Sequence, residues 1–231
     1  MKPFGPVEAV AFDYGGVLTS SVADSLARWH ATSGIDPQSF ADCMRAWLGR
    51  KGEQNSPVHE LETGRLPAAE FEYALAVRLR RTDGSRPRPA GLLAGMFAGL
   101  LPDPAMWDLA DELRARGTRV AVLSNSWSDA YPDRLYDGRF SPVVISGQVG
   151  LRKPDRVVYE LLCTRLGLPP ERVAFVDDMR PNVEGARRAG LHAVHHRDAG
   201  ATRDALLPLL APARAVEPAT SSPGTQWPCS G

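Results

Sequence analysis

Five short apolar segments, each stopped by a polar or turn-forming residue, constrain this chain more than any other feature of its sequence. Val7 to Phe12 reads VEAVAF and ends on Asp13, with Gly15 and Gly16 just beyond. Such a run reads as a buried strand passing into a tight turn. Arg119 to Leu123 (RVAVL), Val143 to Ile145, Val173 to Val176 (VAFV) and His192 to Val194 share the form. Helical patterns separate the last four: Trp127 to Leu135, Pro154 to Leu166 with Gly167 as a stop, and Pro181 to Ala189 with Gly190 as a stop. Strands alternating with helices predict βαβ units, and so an α/β fold: a Rossmann-like parallel sheet with helices on both faces.

The stretch from Thr19 to Leu101 carries no strand signal and is too long for a plain crossover. Ser21-Val22-Ala23-Asp24 has the form of a capping box, and Gly34 closes the helix it opens. Asp36-Pro37 supplies an N-cap and a first-turn proline before Phe40, Met44, Trp47 and Leu48. Pro67 opens a run through Phe71, Leu75 and Leu79, Thr82 to Pro89 is a loop by composition, and Ala90 to Leu101 is helical again. The expected division is a core of residues 1–18 and 102–210, in which Pro102 to Arg116 forms the helix leading into the second strand, and an all-helical insertion at 19–101. From Ala211 the prolines at 212, 218, 223 and 228 sit among Ala, Ser, Thr and Gly, so residues 211–231 read as a flexible tail.

Composition narrows the function. The chain has 231 residues, 43% hydrophobic and 23% charged, with Lys+Arg 27 balanced by Asp+Glu 27. That balance provides no global field to draw the chain onto nucleic acid or an anionic membrane, so any anion it handles must be held locally. No apolar run approaches the ~20 residues of a membrane span, and a cytoplasmic location is expected. Cys43, Cys163 and Cys229 are scattered and show no CxxC spacing, which excludes a zinc site or disulfide framework of ordinary pattern. Lysine occurs only at 2, 51 and 153, which makes the placement of each informative.

In an open parallel sheet, ligands bind beyond the carboxyl ends of the strands. Asp13 follows the first strand, Ser124-Asn125 the second, Lys153 the third after Gly150-Leu151-Arg152, and Asp177-Asp178 the fourth. Three converging carboxylates call for a cation, and an all-oxygen set suits Mg²⁺. A lysine and a hydroxyl beside them suit the oxygens of a transferring phosphoryl group.

These residues, from Phe12-Asp13-Tyr14-Gly15-Gly16-Val17-Leu18-Thr19 through Leu123-Ser124-Asn125 and Lys153-Pro154 to Val176-Asp177-Asp178 with Asn182, resemble the four ordered motifs of the haloacid dehalogenase-like (HAD) superfamily, in its helical-cap, Asp-x-Gly-Gly-Val branch. The resemblance implies a Mg²⁺-dependent hydrolase, most simply a phosphatase of a small phosphorylated metabolite such as a sugar phosphate. It implies Asp13 as the nucleophile that forms an aspartyl-phosphate. Ser124, Asn125, Lys153 and Gly16 would bind phosphate, with Ser124 and Lys153 also catalytic. Asp13, the Gly15 carbonyl, Asp178 and Asp177 would hold the metal, and Asn182 would orient the metal loop.

One position departs from the pattern. Most phosphatases of this superfamily carry a second aspartate two residues after the nucleophile, and here Gly15 stands there. His59, Glu60 and Glu62 in the insertion (HELETG) are candidate replacements for that acid, against the plainer reading of a solvated helix face. Trp127 is equally compatible with lining the pocket and with core packing, and His195-His196 read as surface histidines. A dehalogenase, or a binding and regulatory protein weakened by Gly15, are the competing functions.

Overall fold

The computed structural model describes residues 6–49, 56–127 and 131–210, so the tail reading for 211–231 and Cys229 lie outside the described residues. In chain order the elements are β1 (Ala9–Phe12), α1 (Val22–Ser33), α2 (Pro37–Leu48), α3 (Pro57–Glu62), α4 (Ala68–Arg78), α5 (Leu92–Phe97), α6 (Pro104–Ala115), β2 (Arg119–Ser124), β3 (Val143–Ile145), α7 (Ser146–Val149), α8 (Arg156–Leu166), β4 (Val173–Asp177), α9 (Arg180–Arg188), β5 (His192–His195) and α10 (Ala199–Leu206). The strands form one sheet in the order β3-β2-β1-β4-β5. Every pairing is parallel, with Phe12 opposite Val122 on one side and Val176 on the other.

The two-residue period of the strands sorts their side chains onto two buried faces. Val10, Phe12, Val120, Val122, Ala174 and Val176 pack with Met106, Leu109 and Leu113 of α6 and Leu206 of α10. The alternate residues Ala9, Ala11, Ala121, Leu123, Val173 and Phe175 pack with Val158 and Leu162 of α8 and Ala186 of α9. Because both faces are covered, the strands read as continuous apolar runs, which is the pattern that exposed them in the sequence.

Helices α1 to α5 bury a third cluster of their own, including Trp29, Phe40, Trp47, Phe71, Leu75, Leu79 and Met96. Ser21 accepts a hydrogen bond from the Asp24 amide at the start of α1, and Gly34 closes that helix in the left-handed conformation. Asp36 caps α2, with Pro37 in its first turn. The chain leaves and re-enters the sheet layer through two adjacent segments, where Thr19 bridges Pro102, Ser20 N donates to Leu101 O and Asp103 N donates to Leu18 O.

Two local readings need correction. The helix expected over Trp127 to Leu135 is, among the described residues, a single 3-10 turn at Asp133–Leu135, because Pro132 cannot donate within a continuous helix. The helical stretch expected over Ala90 to Leu101 is short, at Leu92–Phe97. Among the described residues no helix is long and apolar enough to cross a membrane.

Candidate active site

The parallel register brings the carboxyl ends of β1, β2 and β4 to one edge, and residues from them meet there. Lys153 lies at the centre, with a fully buried side chain. Its Nζ is 2.8 Å from Asp13 Oδ1 and 2.7 Å from Asp177 Oδ2. A carboxylate oxygen from each of Asp13, Asp177 and Asp178 lies within 4.8 Å of the others. Asp177 is also fully buried, and its oxygens accept further hydrogen bonds from Met179 N and Asn182 Nδ2. Its lone pairs are therefore largely spent within the protein, leaving Asp13 and Asp178 as the carboxylates free to meet a ligand. Asn182 thus ties the first turn of α9 to the Asp177 carboxylate.

Three carboxylates share one ammonium, and the imbalance is felt at Asp13. Burial, reinforced by Asp177 and Asp178, outweighs Lys153 and pushes the Asp13 carboxyl up to about 8. Asp178 is raised as well, by burial first and then by Asp177. The pocket thus carries more negative charge than the protein itself compensates, which is the condition a divalent cation relieves.

Gly16 makes this approach possible. It has φ +78°, and a Cβ placed there would lie 2.5 Å from Asp178 Oδ2. Its amide donates to Thr19 Oγ1 at 3.0 Å, and its lack of a side chain leaves room for the Asp178 carboxylate. Gly15 lies in the same turn with no positive φ.

Ser124 ends β2 with its hydroxyl 2.9 Å from the Tyr131 hydroxyl. Sequence reasoning missed Tyr131, which fell inside the expected helix. Its phenol is pushed up to about 12, chiefly by burial, and stays protonated. The Asn125 side chain is committed to Lys153: Asn125 Oδ1 accepts from Lys153 N at 2.9 Å, and Asn125 Nδ2 donates to Lys153 O at 3.1 Å. It fixes the lysine's backbone.

The candidate replacement acids fare differently from one another. Glu60 is held by Arg65 through two bonds of 2.8 and 2.9 Å. Glu62 is no solvated face: it is 6% exposed, accepts from Trp127 Nε1 at 2.9 Å and pairs with Arg152 Nε at 2.6 Å. Burial and the Arg152 charge lower the His59 pKa, keeping the ring neutral and a poor acid near pH 7. Trp127 packs against the helical cluster while its indole N–H is bound to Glu62. His196 also departs from the surface reading, being 8% exposed with Nδ1 2.8 Å from Thr202 Oγ1. His195 Nε2 lies 2.9 Å from the Asp178 carbonyl, so the pair supports the acidic loop from β5.

A family model described as haloacid dehalogenase-like hydrolase matches residues 7–190, which include all four strand-end motifs. The chain belongs to the haloacid dehalogenase-like hydrolases. Within this family, a protein from Mycobacterium tuberculosis named as a phosphatase is 32% identical over 87% of this chain and 92% of its own length. A phosphoserine phosphatase from Thermus thermophilus is 29% identical over 81% of this chain and 68% of its own. In fold, the chain resembles a HAD family enzyme of Bacteroides thetaiotaomicron solved with magnesium and inorganic phosphate, at TM-score 0.63 and 19% identity over 83% of this chain and 94% of that one. As a HAD hydrolase the protein is an enzyme of the class its strand-end motifs implied.

Proposed function

We infer that this HAD hydrolase is a Mg²⁺-dependent phosphatase of a small phosphorylated metabolite, working through an aspartyl-phosphate on Asp13. The observation that carries the reading is the buried Asp13–Lys153–Asp177 arrangement with Asp178 beside it, an oxygen-rich anionic pocket around one fixed ammonium. The family relatives named as phosphatases support it. Asp13, Asp178 and the Gly15 carbonyl would hold Mg²⁺, with Asp177 and Asn182 setting the loop behind them. The ion, when bound, supplies positive charge against the phosphoryl oxygens.

The Asp13 carboxylate attacks phosphorus, and the ester oxygen departs with the electron pair of the broken bond. Water then hydrolyses the acyl phosphate, returning Asp13 and releasing inorganic phosphate. Lys153 draws Asp13 toward its ionised form, which bound Mg²⁺ would complete, and offsets phosphate charge, while the Ser124 hydroxyl donates to a phosphate oxygen. Residues 19–101 act as a cap that closes over the pocket, excludes water and selects the substrate. The paired carboxylates at Asp177 and Asp178 argue against the dehalogenase reading, since they would repel a carboxylate-bearing substrate. A panel of sugar, nucleotide and acyl phosphates tests the proposal: phosphate release is expected with Mg²⁺ and not with a chelator. No release from any member would remove the reading.

Linkage gives a second expectation. The folded Asp13 carboxyl titrates at about 8, above its ordinary value of 3.8, so the metal-free native state binds more protons than the unfolded chain between these limits. Stability of the metal-free protein should therefore fall as pH rises through that window. Mg²⁺ competes with the proton, so its increment in Tm should be larger at pH 8 than at pH 6. Thermal melts with and without Mg²⁺ at both values decide it, and equal increments would contradict the charge imbalance described here.

With Gly15 in place of a second aspartate, turnover on phosphates with poor leaving groups is expected to be slow. A Cβ there would meet Val22 Cγ2 at 3.5 Å, an ordinary contact. Gly15→Asp should therefore be accommodated and raise turnover of alkyl phosphates by about 10²-fold, the scale of a general acid. Aryl phosphates, whose leaving groups need less protonation, should gain much less. Equal gains on both would show that proton donation is not what the wild type lacks.

A further inference from the structure

Glu62 belongs to the helical insertion, yet its contacts lie in the loops that carry the pocket. Its carboxylate meets two donors with two oxygens: Oε1 accepts from Trp127 Nε1 at 2.9 Å and Oε2 from Arg152 Nε at 2.6 Å. Its backbone carbonyl accepts from Ser146 Oγ at 2.5 Å, and Ser146 Oγ in turn accepts from Ser126 N at 2.7 Å. One residue therefore ties down the loop after β2, the start of α7 and the residue immediately before Lys153. The backbones also close up here. Gly64 has φ +71°, and a Cβ on it would lie 2.5 Å from the Gly147 carbonyl oxygen.

The two loops that Glu62 holds are the ones that Asn125 joins on the other side, through its paired bonds to the Lys153 backbone. Lys153 thus sits between two clasps, one from Asn125 directly and one from Glu62 through Arg152. A displacement of about 1 Å at a reacting group can cost on the order of 10²-fold in rate, so such support matters to turnover.

We propose that Glu62 is a positioning residue of this hydrolase: from the helical insertion it sets the β2 loop and the Arg152–Lys153 segment in their working geometry. The catalytic consequence rests on the phosphatase reading; the clasp itself does not. Glutamine at 62 has one acceptor oxygen for two facing donors, so it must leave either Trp127 or Arg152 unpaired, while filling nearly the same volume.

The test compares full-length wild type with Glu62→Gln, Arg152→Gln and the double variant, by turnover of p-nitrophenyl phosphate and by amide hydrogen exchange. Each single variant should lose about tenfold in kcat, and the double should lose clearly less than the product of the two, since both weaken the same clasp. Exchange should quicken about tenfold in residues 124–127 and 150–153 and stay unchanged in β1 and β4. Unchanged exchange in those two segments overturns the proposal, as does a Glu62→Gln enzyme within twofold of wild type or a double variant showing multiplied losses. A wild type inactive on every phosphate would count against the phosphatase reading, and exchange would still decide the clasp. If Glu62→Gln fails to fold, Arg152→Gln carries the same comparison.

Discussion

Asp13→Asn should abolish phosphate release, by roughly 10⁴-fold or more, while leaving the fold intact. The scale follows from losing a covalent nucleophile, after which only binding and charge stabilisation remain. The fold should survive because of where the charges lie. Asp13 is the carboxyl most strongly opposed by its surroundings, raised by burial and by Asp177 and Asp178. An amide at this position removes one of three converging charges, and its oxygen still accepts from Lys153. Lys153 keeps Asp177 at 2.7 Å. Without Mg²⁺ the variant should melt no lower than wild type at pH 8, and Mg²⁺ should raise its Tm less. Residual turnover above about 1% of wild type would show that another group attacks phosphorus. A large fall in Tm would show that the Asp13–Lys153 bond outweighs the repulsion.

What the sequence made legible, and what it did not, follows from the range over which each signal acts. Asp13, Ser124, Lys153 and Asp177-Asp178 were visible because each ends or follows a short apolar run, and parallel pairing brings all such ends to one edge. The caps at Ser21 and Asp36 were visible because a cap and the amide that donates to it lie within three residues. The Glu62 clasp spans 65 residues to Trp127 and 90 to Arg152, and no local period reports on contacts of that separation. The same holds for the Asn125 side chain, whose partner Lys153 lies 28 residues on. Tyr131 was lost for a different reason: the apolar spacing around it imitates a helix that Pro132 interrupts. Burial of His196 depends on Thr202 in α10, an element whose pattern was too weak to register.

Lys153→Met should be the most damaging single change to stability, and it should also cost much of the turnover. Methionine fills a similar volume, so packing against Phe175, whose ring centre lies 5.2 Å from Nζ, is largely kept and the effect is electrostatic. The ammonium is fully buried and bonded at once to Asp13 and Asp177, and the two carboxylates lose their common partner. Removing one side of a buried ion pair costs about 3–5 kcal/mol, because the charge left behind is neither solvated nor paired. For a chain of this size that corresponds to a fall in Tm of roughly 10 °C. The loss should be smaller at pH 6 than at pH 8. Asp13, already raised in the wild type, is raised further without the ammonium, so keeping its carboxyl protonated in the fold costs less at pH 6 than at pH 8. Turnover should fall by about 10³-fold or more, since Asp13 is then protonated over most of the working range and the phosphate loses its fixed cation. Melting curves at the two pH values test the electrostatic part independently of any substrate. A fall in Tm of less than about 3 °C at pH 8 would mean that Asp13 and Asp177 find other compensation, and Lys153 would then no longer be the charge on which the pocket is built.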